Sequence, residues 1–213
     1  MPRTQAADHA LKVEEILDRA GEAFAREGFP SASMASIAKA CGASKARLYH
    51  YFDTKEAILF ELLNRYTQSL MQLVTAVQAE AARAGLTERE TFGLLIRRFL
   101  IEYERAATRH IALTNDVKFL SPQQQEPIIA QQRALVAAFE AQLRRAFPGS
   151  VNAANQAPLA MMVFGMINWT FTWLKPGGAL SYAQFGEMVF AVLQRGLENS
   201  SNTNTPGNGK VAR

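Results

Sequence analysis

The stretch SMASIAKACGASKARLYHYFDTKE, which begins at Ser33, constrains the fold more than any other part of this chain. Ser33 and Ser44 each precede a short run of helix-forming residues and can cap it by accepting hydrogen bonds from backbone N–H groups that lack a partner. Between the two runs, Gly42 tolerates the positive φ of a tight turn. Ala38 is small where two helices would cross, and Leu48 would point back into a core. This spacing predicts a helix-turn-helix.

The second of these helices carries cations and hydrogen-bonding aromatic side chains on the face that Leu48 leaves outward. Such side chains suit a major groove lined with phosphates, base edges and thymine methyl groups. A solvated face without a partner is the alternative interpretation of a short helix with this composition. The side chains that we predict at or near base edges are Lys45, Arg47, Tyr49 and His50, and those predicted at phosphates are Ser44, Tyr51 and Lys55.

Three segments around this motif resemble a known family. They are AREGFPSASM, IAKACGASKARLYHYF and DTKEAIL, and they lie within residues 10–63. They resemble the TetR family of bacterial one-component transcriptional regulators. The resemblance implies a helix-turn-helix DNA-binding domain followed by a larger helical domain. Ala46 and Arg47 depart from the usual pattern, in which glycine and a small or hydroxylated residue are common, so the operator sequence stays open.

Composition agrees with a folded protein, since 48% of the 213 residues are hydrophobic and 20% are charged. The net charge is only +4, but residues 39–55 contain four basic residues against one acidic residue. Residues 1–10 lack the apolar run of a signal peptide, and no segment reaches the roughly 18 apolar residues of a membrane span. We therefore expect a cytoplasmic protein with no membrane partner. The single cysteine, Cys41, excludes an internal disulfide, and we predict neither a cofactor nor a metal.

The spacing of apolar residues predicts an all-α fold. We predict a first helix over residues 8–27 and a long fourth helix that starts at Asp53, with Glu56 completing a capping box. Gly85 would end this fourth helix. The most apolar helix is predicted over residues 152–174.

These elements predict a small amino-terminal domain and a larger helical domain. We place the helix-turn-helix DNA-binding domain at residues 1–53, the effector-binding and dimerisation domain at residues 54–198, and a disordered tail at residues 199–213. The fourth helix would join the two domains without a flexible linker. A shift of this helix would therefore tilt the recognition helix.

The helix predicted over residues 152–174 contains the segment AMMVFGMINWTFTWLKPGG. Methionine and aromatic side chains suit an adaptable pocket for an apolar ligand, although an ordinary core or dimer helix has the same composition. Asn168 lies among these apolar residues. A buried amide without a partner costs a few kcal/mol, so we expect Asn168 to have a hydrogen-bond partner.

The segment GMINWTFTWLKPGGALS also resembles a branch of the TetR family whose effectors are acyl-coenzyme A thioesters. The matching features are the Asn168–Trp169 pair, Trp173 and the proline-glycine turn. The resemblance implies an apolar tunnel for the acyl chain and cations for the coenzyme A phosphates. At positions i and i+4, Trp169 and Trp173 would share one helical face. The predicted ligand-binding residues are Phe99, Tyr103, Asn168, Trp169 and Trp173, with Arg105 and Arg109 as the cations.

Helix-turn-helix proteins usually bind as two-fold dimers, because one short helix reads too few base pairs. The last two helices are the best candidates for a four-helix interface between two copies, and family resemblance agrees. The predicted dimer-interface residues are Phe164, Phe185, Met188, Val189 and Val192.

Together these features predict a DNA-binding transcriptional regulator, most simply a repressor that a hydrophobic effector, an acyl-coenzyme A thioester, releases from double-stranded operator DNA. A different apolar effector, or no effector, stays open as an alternative. An acyl-coenzyme A-binding enzyme is a further alternative. The chain contains no HExxH, GxSxG, P-loop or CxxC motif, so we predict no catalytic residue and no enzyme activity.

Overall fold

The computed structural model describes residues 2–203 of the chain, with side chains from residue 7 to residue 199. Over this range the regular structure is helical and contains no strand, which confirms the all-α prediction. Short 3-10 turns lie at Val117–Phe119 and Thr170–Thr172. The α-helices of residues 2–203 are α1 (Pro2–Glu27), α2 (Met34–Ala40), α3 (Lys45–Tyr49), α4 (Lys55–Ala84), α5 (Glu88–Arg105), α6 (Ala107–Asn115), α7 (Pro122–Ala146), α8 (Gln156–Ile167) and α9 (Tyr182–Thr203).

Helix α4 is one continuous helix of 30 residues, as predicted, but its cap differs from the prediction. The hydroxyl of Thr54 accepts a hydrogen bond from the backbone N–H of Ala57 at 3.0 Å. Thr54 directly precedes the first helical residue and is therefore the side chain that can reach this donor. The predicted cap at Asp53 is wrong by one residue. Gly85 ends the helix with φ +66, as predicted.

The apolar helix near the carboxyl end is shorter than predicted, because α8 covers Gln156–Ile167 and not residues 152–174. Beyond Ile167 the backbone N–H of Thr172 donates to the carbonyl of Trp169, three residues back, at 3.1 Å, so the chain continues as a 3-10 turn and not as an α-helix. The hydroxyl of Thr170 donates to the carbonyl of Ile167 at 2.9 Å, and that of Thr172 donates to the carbonyl of Trp169 at 2.7 Å. These bonds satisfy carbonyls at and just beyond the end of α8.

The chain forms two compact units. Unit 1 consists of the chain up to Met71 together with Arg105–Arg133, and unit 2 consists of Gln72–Glu104 with the chain from Ala134 onward. The predicted functional boundary between residues 53 and 54 stays a prediction. Helix α9 continues to Thr203 and so includes the start of the predicted tail. Residues 204–213 of that tail lie outside the described residues.

Unit 1 is organised around close packing of α1 against α4 and α6. Leu17 and Ala20 on the apolar face of α1 are fully buried, and so is Leu62 of α4. A Cβ atom added to Gly21 would lie 3.2 Å from Cδ1 of Leu62 and 3.3 Å from Oγ1 of Thr108. The three helices therefore pack so closely here that a side chain at position 21 would require its neighbours to shift by a few tenths of an ångström.

Unit 2 has a core of interlocking aromatic rings. Phe139 of α7 lies edge-on to Phe99 at 4.9 Å between ring centroids and packs against Phe164 of α8 at 4.6 Å. Phe92 of α5 makes further edge contacts with Phe139 and Phe147. Such aromatic pairs contribute about 0.5 to 1.5 kcal/mol each beyond the burial of their area. Across residues 2–203, no helix is both long enough and apolar enough to cross a membrane.

Candidate nucleic-acid interface and effector region

The helix-turn-helix has the local geometry that its sequence predicts. The hydroxyl of Ser33 accepts from the backbone N–H of Ser36 at 3.1 Å, and that of Ser44 accepts from the N–H of Arg47 at 3.2 Å. Gly42 adopts φ +59, as predicted for the turn. The N–H of Ala43 then bonds the carbonyl of Ala38 at 2.9 Å. Both predicted caps are confirmed, and these bonds hold α3 at a defined angle to α2.

The outward face of α3 carries the predicted DNA-binding side chains. Leu48 is buried, with an exposed fraction of 1%, whereas Lys45, Arg47 and Tyr49 are exposed. The ammonium group of Lys45 lies 5.7 Å from the centre of the Tyr49 ring. In the part of the chain with described side chains, neither Lys45 nor Arg47 forms an ion pair. Their charges are therefore available to a polyanion.

The residues that follow α3 are held against the start of α1. The Tyr51 ring packs against His9 at a centroid distance of 5.1 Å with an interplanar angle of 33°, and it contacts His50 edge-on at 5.4 Å. His50 is exposed and Tyr51 is half-buried, while Ser44 is exposed at the start of α3. Six of the seven predicted DNA-binding side chains thus lie on or beside one short helix.

Lys55, the seventh, makes contacts that differ from the prediction. Its Nζ donates to three backbone carbonyls, those of Phe29 at 2.9 Å, Pro30 at 3.1 Å and Ala32 at 3.0 Å. An ammonium group has three N–H donors, so all three are in use within the protein. The sequence predicts that Lys55 contacts a phosphate, whereas in the structure its ammonium group binds the loop between α1 and α2.

Cys41 is buried at the end of α2. Burial raises the pKa of its thiol above the ordinary value of 9.0. The thiol is therefore protonated at neutral pH, which agrees with packing as its role.

Arg109, predicted as a cation for coenzyme A, belongs to an ion network inside unit 1. Its Nη2 lies 2.8 Å from a carboxylate oxygen of Glu14 and 2.7 Å from one of Asp18. Glu14 also pairs with Arg65 of α4 at 2.6 Å. Burial raises the pKa of Glu14, but the hydrogen bonds from Arg109 and Arg65 outweigh it, and the pKa lies below the ordinary 4.5. Arg109 thus ties α6 to α1 in the structure.

In unit 2, two predicted ligand-binding residues contact each other. The hydroxyl of buried Tyr103 donates to Oδ1 of Asn168 at 3.2 Å, which confirms that Asn168 has a hydrogen-bond partner. Burial raises the pKa of Tyr103 well above its usual value, so the hydroxyl remains a donor at neutral pH. Phe99 is fully buried and contacts the Tyr103 ring edge-on at 5.9 Å. Arg105 is exposed at the end of α5 in unit 1.

The two tryptophans do not share a helical face, and that prediction is wrong. Helix α8 ends at Ile167, so Trp169 and Trp173 flank a 3-10 turn instead of lying one helical turn apart. Both are exposed, at 51% and 53%. The Trp173 ring packs edge-on against Phe185 of α9 at 5.0 Å.

The predicted dimer-interface residues differ widely in exposure. Met188 and Val192 of α9 are 53% and 65% exposed, whereas Phe164 and Val189 are buried inside unit 2. Phe185 is half-buried beside Trp173. Among these five residues, Met188 and Val192 are therefore the most accessible to a contact with another molecule.

Two further exposed methionines are not among the predicted dimer-interface residues. Met161 and Met162 of α8 are each 58% exposed, while Ala160 and Val163 on either side are buried. Helical spacing from the buried positions would have identified them, because residues on one face recur every three or four positions. The overestimated length of the helix obscured this pattern.

Comparison with known proteins gives matches over both parts of the chain. The family model described as "Bacterial regulatory proteins, tetR family" matches residues 10–62. The model described as "Tetracyclin repressor-like, C-terminal domain" matches residues 85–197.

Individual proteins match over nearly the whole chain. A TetR-family transcriptional regulator from Bordetella parapertussis 12822 is 34% identical, with a TM-score of 0.79, over 88% of this chain and 96% of that one. The HTH-type transcriptional repressor KstR2 of Rhodococcus jostii (strain RHA1) is 24% identical over 88% of this chain and 92% of that protein. AibR, crystallised with isovaleryl coenzyme A and operator DNA, is 24% identical with a TM-score of 0.74, over 85% of this chain and 97% of that one.

Proposed function

This chain belongs to the TetR family of bacterial transcriptional regulators, and we propose that α3 is its recognition helix in the major groove of operator DNA. The predicted class, a DNA-binding regulator and not an enzyme, is confirmed by the family. The observation that carries the proposal is the division of α3 into one buried residue, Leu48, and an outward face with Lys45, Arg47 and Tyr49. Exposed cations without ion-pair partners suit phosphate and guanine contacts.

We further propose that two copies bind DNA together through α8 and α9. A single five-residue helix contacts too few base pairs for useful specificity, and a two-fold dimer would place two such helices about 34 Å apart. The outward apolar side chains of these helices support this surface, since exposed apolar clusters mark interaction sites. They are Met161, Met162, Met188 and Val192.

The proposed activity is repression that a hydrophobic effector relieves. The repressor KstR2 is similar in sequence, and AibR, which shares the fold, was crystallised with both an acyl-coenzyme A thioester and operator DNA. The segment from Gly165 to Ser181 resembles regulators with thioester effectors, and this resemblance supports the same ligand class. The effector would lower DNA affinity by binding better to a conformation that does not fit the operator, typically by about 1 to 3 kcal/mol.

The first experiment tests DNA binding and dimerisation. A duplex is selected by the purified full chain from a random-sequence pool, and its binding is followed by fluorescence anisotropy. Met188→Asp with Val192→Asp should give a monomer in analytical ultracentrifugation and weaken binding to the selected duplex. A matched control, Gln72→Asp with Ala76→Asp, makes the same change of charge at two exposed positions four residues apart on α4. A dimer that survives the first pair of substitutions would contradict the interface.

The second experiment tests the effector class. Acyl-coenzyme A thioesters with short branched, medium and long chains are added to the complex with the selected duplex, with coenzyme A and the free acids as controls. A matching thioester should release the duplex, and at a hundredfold its dissociation constant it should stabilise the free protein by about 2.7 kcal/mol. Release by a free acid alone would indicate an apolar effector without coenzyme A. If no compound of the panel releases the duplex or stabilises the free protein, the result would favour a regulator without such an effector.

A further inference from the structure

The first residue of α4 makes a set of contacts that DNA binding does not by itself require. Lys55 lies at the positive end of the helix dipole, where a cation is disfavoured. Its ammonium group is nevertheless half-buried, bonded to three carbonyls and placed 4.5 Å from the centre of the Phe29 ring. A cation held in an unfavourable place by this many contacts has a definite structural role.

The three carbonyls belong to the loop between α1 and α2, which leads into the helix-turn-helix. The loop begins after Gly28, whose φ of +78 ends α1, and it leads directly to Ser33, the cap of α2. The backbone N–H groups of Ser31 and Ala32 both bond to the carbonyl of Gly28 at 3.2 Å. Lys55 donates to the carbonyls of Phe29, Pro30 and Ala32 in the same loop. The contact therefore lies in the segment that connects α1 to the start of α2.

The same loop is in contact with the turn that follows α6. Phe29 is 3% exposed, and its ring stacks on Phe119 at 5.1 Å with an interplanar angle of 20°. Phe119 ends the 3-10 turn after α6 and is itself 36% exposed. Phe29 thus touches the α4 cation through one contact and the turn after α6 through another, and all of these residues lie in unit 1.

We propose that Lys55 is a positioning residue for DNA binding, which orients α2 and α3 through residues 29–32, and that Phe119 acts on the same loop through Phe29. The inference rests on the proposed role of α3 in DNA binding. Lys55 contributes no direct phosphate contact, because its donors are already engaged. A change in the turn after α6 alters the recognition helix through the Phe29 ring.

The salt dependence of binding separates this role from a phosphate contact. Each neutralised phosphate contributes about 0.9 to the slope of log K against log salt concentration. Lys55→Met should weaken binding to the selected duplex about tenfold while leaving this slope unchanged, because residues 29–32 must then be ordered on binding at a cost comparable to one charged hydrogen bond, which corresponds to about that factor. Lys45→Met removes the same charge from the face of α3 that meets the duplex, where a cation displaces counterions whether it contacts a base edge or a phosphate, so it should reduce the slope by about 0.9.

Hydrogen exchange of the free protein supplies a readout that involves no DNA. In Lys55→Met the amides of Ser31 and Ala32 should exchange at least about tenfold faster, and in Lys45→Met they should not change. Lys55→Gln keeps two N–H donors without the charge, so it should restore part of the protection and part of the affinity. If the methionine variant does not fold, the glutamine variant carries the same slope measurement.

Phe119→Ala tests the second contact. It should weaken binding several-fold with an unchanged salt slope, and its effect should combine with that of Lys55→Met less than additively, because both act through Phe29. A slope reduced by about 0.9 in Lys55→Met with normal loop protection would establish a phosphate contact and overturn the inference. Fully additive effects of the two substitutions would overturn the part played by Phe119. If Lys45→Met also leaves DNA binding unchanged, the proposed role of α3 fails, whereas the exchange result still decides the loop contact.

Discussion

Replacement of Arg109 by methionine decides between two roles for this cation. From the sequence we predict Arg109 as a cation for the phosphates of coenzyme A. In the structure its guanidinium instead binds Glu14 and Asp18 of α1, with its own side chain only 18% exposed. Methionine keeps the apolar stem that packs in α6 and removes the charge, so that the change in the free energy of unfolding reports the ion pairs.

The exposed fractions set the expected size of the effect. The side chains of Glu14 and Asp18 are 43% and 63% exposed, so water screens each pair. Exposed pairs contribute about 0.2 to 1 kcal/mol each, and a mostly buried guanidinium that is shared by two carboxylates lies at the upper end. Arg109→Met should therefore lower the free energy of unfolding by about 1 to 2 kcal/mol at pH 7.

The pH dependence adds a second criterion. The folded-state pKa of Glu14 lies below its ordinary value of 4.5, so the unfolded chain binds this proton more readily. The stabilisation is then complete above pH 4.5 and is lost as the pH falls through the folded-state pKa. The difference between Arg109→Met and the unchanged protein should accordingly shrink as the pH is lowered from 7 to about 3.5.

Urea unfolding followed by circular dichroism measures both quantities. The control is Arg19→Met on α1, whose pair with Glu22 is half exposed on both sides and should contribute less than the pairs of Arg109. Equal stability of Arg109→Met and the unchanged protein at pH 7 would refute the structural role. So would a loss that is the same at both pH values. If thioester binding alone were weakened, the coenzyme A assignment would be the correct one.

Three further predictions concern single positions. Gly42→Ala should destabilise the protein by about 1 kcal/mol and weaken DNA binding, because the turn requires φ +59, although a Cβ would meet nothing within 4 Å. Unfolding and anisotropy measure this, and the control is Gly85→Ala, at φ +66 with an equally open Cβ position, which should lose stability without weakening DNA binding. Tyr103→Phe should cost about 1 kcal/mol by deleting the bond to Asn168, and an unchanged unfolding midpoint would contradict it. Burial raises the pKa of Asp116 from 3.8 to about 6, so Asp116→Asn should stabilise the protein above pH 6 by at most about 3 kcal/mol. The gain should disappear below pH 4, because the folded state then no longer binds an extra proton; a pH-independent gain would refute the assignment.

The helix-turn-helix was predictable because its determinants are local. A hydroxyl three residues before an unpaired N–H, or a glycine at a turn, acts within one short segment, and the caps at Ser33 and Ser44 and the φ of Gly42 followed. The partner of Lys55 could not be predicted in this way. Its position suggested a phosphate, yet the carbonyls that bind it lie 23 to 26 residues earlier in the chain.

The apolar segment near the carboxyl end illustrates the opposite situation. Its composition indicated burial on several sides but not where the helix ends, and α8 ends at Ile167, before the first tryptophan. The same composition could not distinguish Phe164, buried against Phe139, from Met161 and Met162, which face outward. An apolar side chain indicates that it is buried somewhere, but the sequence does not show whether the same chain or another molecule covers it.

By itself the amino-acid sequence determined the all-helical class, the recognition module and the family, because caps, turns and helical periodicity act over a few residues. Only the tertiary structure decided how the charged side chains are used. Arg109 and Lys55 are engaged within unit 1, by Glu14 and Asp18 in one case and by loop carbonyls in the other, while Lys45 and Arg47 stay outward. The physical reason is that a cation binds whichever oxygen atoms the folded chain brings within about 3 Å, and these atoms come from distant parts of the sequence.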